Sequence, residues 1–65
     1  MELIRQGQRG EEVRDVQHRL LGTGIRIDPD ELDGTFGPST AAAVREFQQR
    51  RGLPPDGVVG SDTWG

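Results

Sequence analysis

The chain has 65 residues, enough for one small domain, and only 31% of them are apolar, which leaves a small core and little material for a deep substrate pocket. Its formal charge is −3, and eight basic residues against eleven acidic ones argue against nucleic acid or an anionic membrane surface as the main partner. The absence of cysteine and the single histidine exclude a disulfide framework, a thiolate metal site and a histidine cluster.

The first predicted helix runs from about residue 11 to residue 21. Gly10 stands at its N-cap position, Glu11 lies in the first turn beside the positive end of the helix dipole, and Gly22 ends the pattern. His18 projects away from the apolar face. That face is a stripe at helical spacing, formed by Val13, Val16, Leu20 and Leu21.

An irregular segment follows from residue 25 to residue 32. Ile25 and Ile27 flank an arginine, which allows at most a very short extended stretch before the turn at Pro29. The carboxylates of this region do not keep the register of a calcium-binding loop, and we interpret them as a solvated acidic loop. They are Asp28, Asp30, Glu31 and Asp33.

The second predicted helix runs from about residue 38 to residue 51. Gly37 is its expected N-cap, Pro38 suits the first helical position, and Gly52 closes it. Its inward face consists of Ala43, Val44 and Phe47.

A repeat links the start of this helix to the end of the chain. The sequence of residues 33–40, DGTFGPST, recurs as DGVVGSDT at residues 56–63, with the Asp, both Gly and the Thr retained. Phe36 and Val59 occupy matching places and are expected to anchor the two loops in the core. The repeat predicts a third helix at about 61–65, cut short after Trp64. The fold class is therefore all-α, a small three-helix bundle with Asp-Gly loop-to-helix corners, spanning residues 1–65 as one domain.

A second, fainter repeat relates the two long helices. An apolar pair followed by glutamine occurs in both, as Val13, Val16, Gln17 and as Val44, Phe47, Gln48. Two interpretations remain open for Gln17 and Gln48. Their amides can satisfy backbone groups of adjoining loops, or they can face the amides or hydroxyls of a ligand.

Candidate catalytic groups have simpler structural explanations. Asp33-Gly34 and Asp56-Gly57 fit turn chemistry better than catalysis, because Asp accepts local N–H bonds and Gly supplies positive φ. His18 has no serine or cysteine at helical spacing and fits a surface position. The residues therefore predict a binding or interaction module without catalytic residues, metal or cofactor.

Taken together, the motifs resemble the small three-helix peptidoglycan-binding domain attached to bacterial cell-wall hydrolases. The resemblance spans residues 3–64 and is specific as a combination. Its carriers are Gly7-x-x-Gly10-Glu11-x-Val13, Val16-Gln17-x-x-Leu20, the two Asp-Gly repeats, Ala43-Val44-x-x-Phe47-Gln48 and Gly52-Leu53.

This resemblance implies a non-catalytic, monomeric module that targets an attached enzyme, such as an amidase, to peptidoglycan. The glycan strand or the stem peptide would lie in a shallow groove beside the helices and the Asp-Gly loops. It implies contacts from Asp33, Thr35 and Arg45 near the loop, with Gln17 and Gln48 at the groove edge.

The resemblance also implies action at the cell envelope. The chain shows no signal-peptide core, so a parent protein that is cytosolic or released by lysis stays open. The alternative function is a protein-interaction or regulatory module that docks onto its own catalytic domain or a partner.

Overall fold

The computed structural model describes residues 3–60, and in this part of the chain the regular structure is helical. It consists of helix α1 (Glu11–Gly22), a 3₁₀ turn (Pro29–Glu31) and helix α2 (Pro38–Arg50). β-pairing among these residues is limited to two isolated antiparallel bridges. The predicted all-α class is confirmed. The third helix expected at 61–65 lies outside the described residues.

Helix α1 begins after Gly10, whose φ of 130° favours glycine at this N-cap. It ends at Gly22, one residue beyond the predicted limit, and Thr23 closes it by donating from both its N–H and its hydroxyl to the Leu20 carbonyl. The prediction that Leu21 belongs to the buried stripe is wrong. Its side chain is 39% exposed, because Leu20 already occupies the inward position and the next residue is rotated about 100° away.

The core lies between the inner faces of α1 and α2 and is closed by the connecting segments. Ile25 and Ile27 both point inward, although the segment between the helices forms no strand. Phe36 and Val59 are buried at matching places of the repeat, which confirms their predicted anchoring role. The remaining buried apolar residues in the described part of the chain are Val13, Val16, Leu20, Ala41, Ala43, Val44 and Phe47.

Helix α2 begins at Pro38 with Gly37 as its N-cap, as predicted. Its first-turn N–H groups are satisfied by a side chain from outside the helix. The carboxylate of Glu31 accepts hydrogen bonds from the N–H groups of Gly37 (3.2 Å), Ser39 (2.9 Å) and Thr40 (2.8 Å), and from the Thr40 hydroxyl (2.8 Å). Glu31 therefore acts as a remote cap of this helix.

For Glu31, this arrangement corrects the interpretation of the acidic segment as a solvated loop, whereas Asp28, Asp30 and Asp33 are exposed as expected. Glu31 is half-buried and its charge is fixed at the start of α2. Burial raises the pKa of its carboxyl, but the hydrogen bonds from Ser39, Thr40 and Gly37 outweigh burial, and the net pKa lies below the ordinary value of 4.5. The sequence contained the carboxylate but gave no indication of the chain path that brings it to the helix.

The segment that precedes α1 ties the two repeats together. Ile4 and Val59 exchange backbone hydrogen bonds of 3.0 and 2.8 Å. Further along the segment, the N–H of Gly7 donates to the Phe36 carbonyl at 3.0 Å, and the Phe36 N–H donates to the Gln8 carbonyl at 2.9 Å. One stretch of backbone thus pairs with both loops at equivalent positions. None of the helices in the described part of the chain is long and apolar enough to cross a membrane.

Candidate ligand-binding site

The first corner, residues 33–37, is a turn held by its own aspartate. Asp33 Oδ1 accepts a hydrogen bond from the Thr35 N–H at 3.2 Å. Gly34 has a φ of 98°, and a Cβ added there would lie 2.8 Å from the Gly10 carbonyl oxygen, so the position requires glycine for both conformation and space. Asp33 is exposed and Thr35 half-buried.

The second corner, residues 56–60, repeats this design. Asp56 Oδ1 accepts a hydrogen bond from the Val58 N–H at 2.9 Å, and Gly57 has a φ of 76°. The bonds from the Val58 N–H and from the Gln48 amide lower the pKa of the Asp56 carboxyl below its ordinary value. The turn interpretation of both Asp-Gly pairs therefore agrees with the observed geometry.

Gln17 holds the first corner from inside the molecule. Its side-chain Nε2 lies 2.6 Å from the Glu31 carbonyl, 2.9 Å from the Thr35 carbonyl and 3.0 Å from the Thr40 hydroxyl. Gln17 is fully buried. Its Oε1 is buried without a hydrogen-bond partner in the described part of the chain.

Gln48 holds the second corner in the same way. Its Nε2 donates to Asp56 Oδ1 at 2.9 Å and to the Val58 carbonyl at 2.8 Å, while its Oε1 accepts from the Gly57 N–H at 3.0 Å. Gln48 is 3% exposed. The sequence left two interpretations open for these glutamines. The geometry favours the first, in which Gln17 and Gln48 hydrogen-bond to the backbone of adjoining loops. Direct ligand contact by Gln17 or Gln48 stays a prediction.

A pair of arginines, of which only Arg45 is predicted from the sequence, lies beside the corner glycines. A Cβ added at Gly57 would lie 3.3 Å from Arg45 Nη1, and one added at Gly34 would lie 3.7 Å from Arg14 Cβ. Arg14 also donates from Nη2 to the Asp33 carbonyl at 3.4 Å. A signal for Arg14 was present, because the helical repeat reads VRDVQ in α1 and VREFQ in α2, with arginine at the same place in both.

The predicted binding residues therefore divide between two places. Asp33, Thr35 and Gln17 meet at the first corner, whereas Arg45 and Gln48 meet at the second. The exposed members are Asp33 and Arg45. Together the corners offer guanidinium donors, carboxylate oxygens and turn backbone, which suit a polar ligand on an open surface.

The described residues offer little that resembles a catalytic or metal centre. No group of three histidine, cysteine or carboxylate side chains between residues 3 and 60 could hold a metal ion. His18 is exposed on α1, as its position in the helix predicts.

Comparison with known proteins identifies the kind of domain to which these corners belong. Residues 9–65 match the family described as "Putative peptidoglycan binding domain". The chain is 42% identical over 64 residues to the zinc D-Ala-D-Ala carboxypeptidase of Streptomyces albus G, covering 94% of the chain and 24% of that protein. It is 40% identical over 62 residues to a spore cortex-lytic enzyme of Bacillus cereus, covering 95% of the chain and 23% of the enzyme.

Solved structures give the same result for the fold. The SleB N-terminal domain superposes with a TM-score of 0.88 at 40% identity, covering 97% of this chain and 84% of that one. A Burkholderia AP3 phage endolysin gives a TM-score of 0.87 at 38% identity, covering 97% of this chain and 23% of the endolysin.

The chain spans about a quarter of the carboxypeptidase and of the cortex-lytic enzyme. It spans 52% of a further relative from Kitasatospora aureofaciens, to which it is 44% identical. Domains of this kind thus occur within larger hydrolases. The family match confirms the prediction of a binding module of the type joined to cell-wall hydrolases. The chain belongs to the peptidoglycan-binding domain family.

Proposed function

We propose that this domain binds bacterial peptidoglycan and holds an attached cell-wall-modifying enzyme at its substrate. The family match over residues 9–65 carries the proposal. The relatives support it, because this kind of domain lies within a carboxypeptidase, a cortex-lytic enzyme and an N-acetylmuramoyl-L-alanine amidase. The domain supplies affinity and location, and the bond-breaking residues belong to the partner domain.

The contacts we propose lie on the exposed side of the two corners. Asp33, Thr35 and Arg45 contact the glycan strand or the stem peptide, and Gln17 and Gln48 keep the corners in the binding conformation. The hydrogen bonds that the buried amides of Gln17 and Gln48 donate to the two corners support this structural role. An open, polar surface of this kind suits weak binding to a polymer that offers many copies of the same unit.

A monomer acting at the cell envelope completes the proposal. The relatives are cell-wall enzymes, which supports the location. The endolysin match supports release of a cytosolic parent protein by lysis as one way to reach the wall, besides export.

Co-sedimentation with purified sacculi tests the function. We expect the domain to pellet with sacculi and to stay in the supernatant without them. Val44→Asp, which places a charge at a fully buried position, provides the unfolded control. If the wild type and this control pelleted with sacculi to the same extent, the proposal would be wrong. That result would favour instead a module that docks onto its own catalytic domain or a partner. A hydrolase domain in the same parent gene would favour targeting, whereas tandem copies of this domain without a hydrolase would favour interaction.

A further inference from the structure

The helical repeat places two arginines in each long helix, and the two have different surroundings. In α1, Arg19 forms an ion pair with Asp15 at 3.3 Å. In α2, the equivalent Arg50 pairs with Glu46 at 2.7 Å. These pairs stand at matching positions of the repeat, four residues apart, and they neutralise one arginine on each helix.

The other arginine of each helix lies at a corner and meets no carboxylate among residues 3–60. Arg14 makes only the long hydrogen bond from Nη2 to the Asp33 carbonyl. Arg45 lies against Gly57, and no hydrogen bond or ion pair of its guanidinium involves a described residue. Both side chains are exposed. Guanidinium groups prefer paired acceptors, above all carboxylates, so these two retain most of their binding capacity.

The aspartate of each corner offers the complementary chemistry. Asp33 and Asp56 each use Oδ1 to close their own turn, and Oδ2 makes no hydrogen bond within the described residues. Each corner therefore presents guanidinium donors and, on its aspartate, a carboxylate oxygen that makes no hydrogen bond in the described part of the chain. A peptide segment supplies the matching pair, a carboxylate for the arginine and an N–H for the aspartate. A neutral glycan lacks the first of these groups.

We propose that the two corners are a pair of quasi-equivalent subsites, with Arg14 and Arg45 each binding a carboxylate of a peptidoglycan stem peptide. The inference rests on the proposed function. It names the stem peptide, and not the glycan strand, as the part of peptidoglycan that the domain binds. The net charge of −3 disfavours unspecific attraction of an anionic ligand, so recognition depends on these local guanidinium groups. Two subsites on one small domain allow neighbouring stem peptides to be held together, which raises the affinity above that of either corner.

Amide chemical-shift mapping with three probes tests the inference. The probes are a synthetic stem peptide with free carboxylates, the same peptide with its carboxylates amidated, and a chito-oligosaccharide as a glycan without peptide. We expect the free peptide to shift the amide signals of both Gly34 and Gly57, and the amidated peptide and the glycan to shift neither.

Single arginine substitutions separate the subsites. Arg14→Gln is expected to weaken the response at Gly34 and Arg45→Gln the response at Gly57, each raising the Kd at its own corner by roughly two- to fivefold, as for loss of an exposed ion pair. Arg26→Gln, at an exposed arginine outside both corners, is the matched control and should change neither response. Unshifted signals elsewhere in the spectrum show that each variant is folded.

Response at one corner only, equal binding of the amidated peptide, or insensitivity to both corner substitutions would overturn the inference. Pelleting with sacculi without any response to the stem peptide would also overturn it while leaving the peptidoglycan-binding function in place.

Discussion

The carboxylate of Glu31 accepts two hydrogen bonds from Thr40, one from its N–H and one from its hydroxyl, both at 2.8 Å. This contact joins the 3₁₀ turn to the first turn of α2. The same Thr40 hydroxyl lies 3.0 Å from the Gln17 amide of α1. One buried threonine thus connects both helices and the segment between them, and the charge of Glu31 is what orients the group.

The stability of the domain should depend on the ionisation of Glu31. Its pKa is lowered in the folded state, so its stabilising contribution is present above about 4.5 and is lost as the pH falls through the folded-state pKa. Glu31→Gln removes the charge, and we expect it to cost about 1 kcal/mol at pH 7, as loss of a helix cap does. Urea unfolding at several pH values should show the gap between the two proteins narrowing towards pH 3.

Asp30→Asn is the control for this experiment, because its exposed carboxylate accepts no hydrogen bond among the described residues. It should follow the wild type across the whole range. A gap between wild type and Glu31→Gln that stays constant from neutral to acidic pH would contradict the capping role.

Gly37 should be required for space rather than for backbone conformation. Its φ is −103°, which other residues adopt readily, but a Cβ added there would lie 2.7 Å from the Glu31 carboxyl carbon. Gly37→Ala must displace a carboxylate held by four hydrogen bonds, and we expect a loss of about 1–2 kcal/mol. Gly37→Val should cost more, because its branched side chain needs more room.

A double-mutant cycle isolates the cause. In a Glu31→Ala background the space is vacant, and Gly37→Ala should then be neutral or slightly stabilising, because alanine restricts the unfolded chain. Additive losses in the cycle would show that Gly37 is needed for another reason.

Gln48→Leu should release the second corner. It leaves the buried N–H of Gly57 and the Val58 carbonyl without their partner, a loss of about 2–4 kcal/mol. Hydrogen exchange gives the local readout, since the Gly57 amide should exchange much faster in the variant. Gln49→Leu, at the exposed neighbouring position, should change stability by no more than about 0.5 kcal/mol. Unchanged protection of the Gly57 amide would disprove the assignment of Gln48 as its partner.

Phe47→Ala should abolish most of the stability of the domain. Phe47 is 7% exposed in a core with few large side chains, and its truncation is expected to cost ~3–5 kcal/mol. That equals the total available to a domain of this size, roughly 3–5 kcal/mol. Circular dichroism melts should show little folded protein, whereas Phe47→Leu should keep a cooperative transition at lower temperature. A Phe47→Ala melt close to that of the wild type is the outcome that our placement of the inner face of α2 cannot accommodate.

The sequence predicted the features that local chemistry determines. Pro38 after Gly37 marked the start of α2, and the apolar spacing of Val13 and Val16 marked the inner face of α1. The place of Gln17 beside that face followed from helical geometry, although its partners did not. These signals depend on a few neighbouring residues, and propensity and periodicity describe such relations well.

The features that were not predicted depend on the path of irregular backbone. Glu31 reaches the start of α2 because the 3₁₀ turn and the first corner fold back on each other, and no periodic pattern encodes that path. The prediction for Leu21 is wrong because apolar character alone does not distinguish neighbouring positions at the edge of a stripe. The helical repeat contains Arg14 but does not predict it as a site residue, since the role of a charged residue at a glycine corner emerges only from the contact.

The backbone pairing of Ile4 with Val59 also has a kinetic consequence. The two helices have 12 and 13 residues, close to the length at which isolated helices are marginal in water, so they depend on each other. The pairing closes nearly the whole described chain into a ring. Closing so long a loop costs chain entropy before the contacts that it forms can stabilise the fold. We expect ring closure to come late in folding, after each corner has formed on its own helix. The backbone pairing of the segment before α1 with both corners then makes the two repeats fold as one cooperative unit.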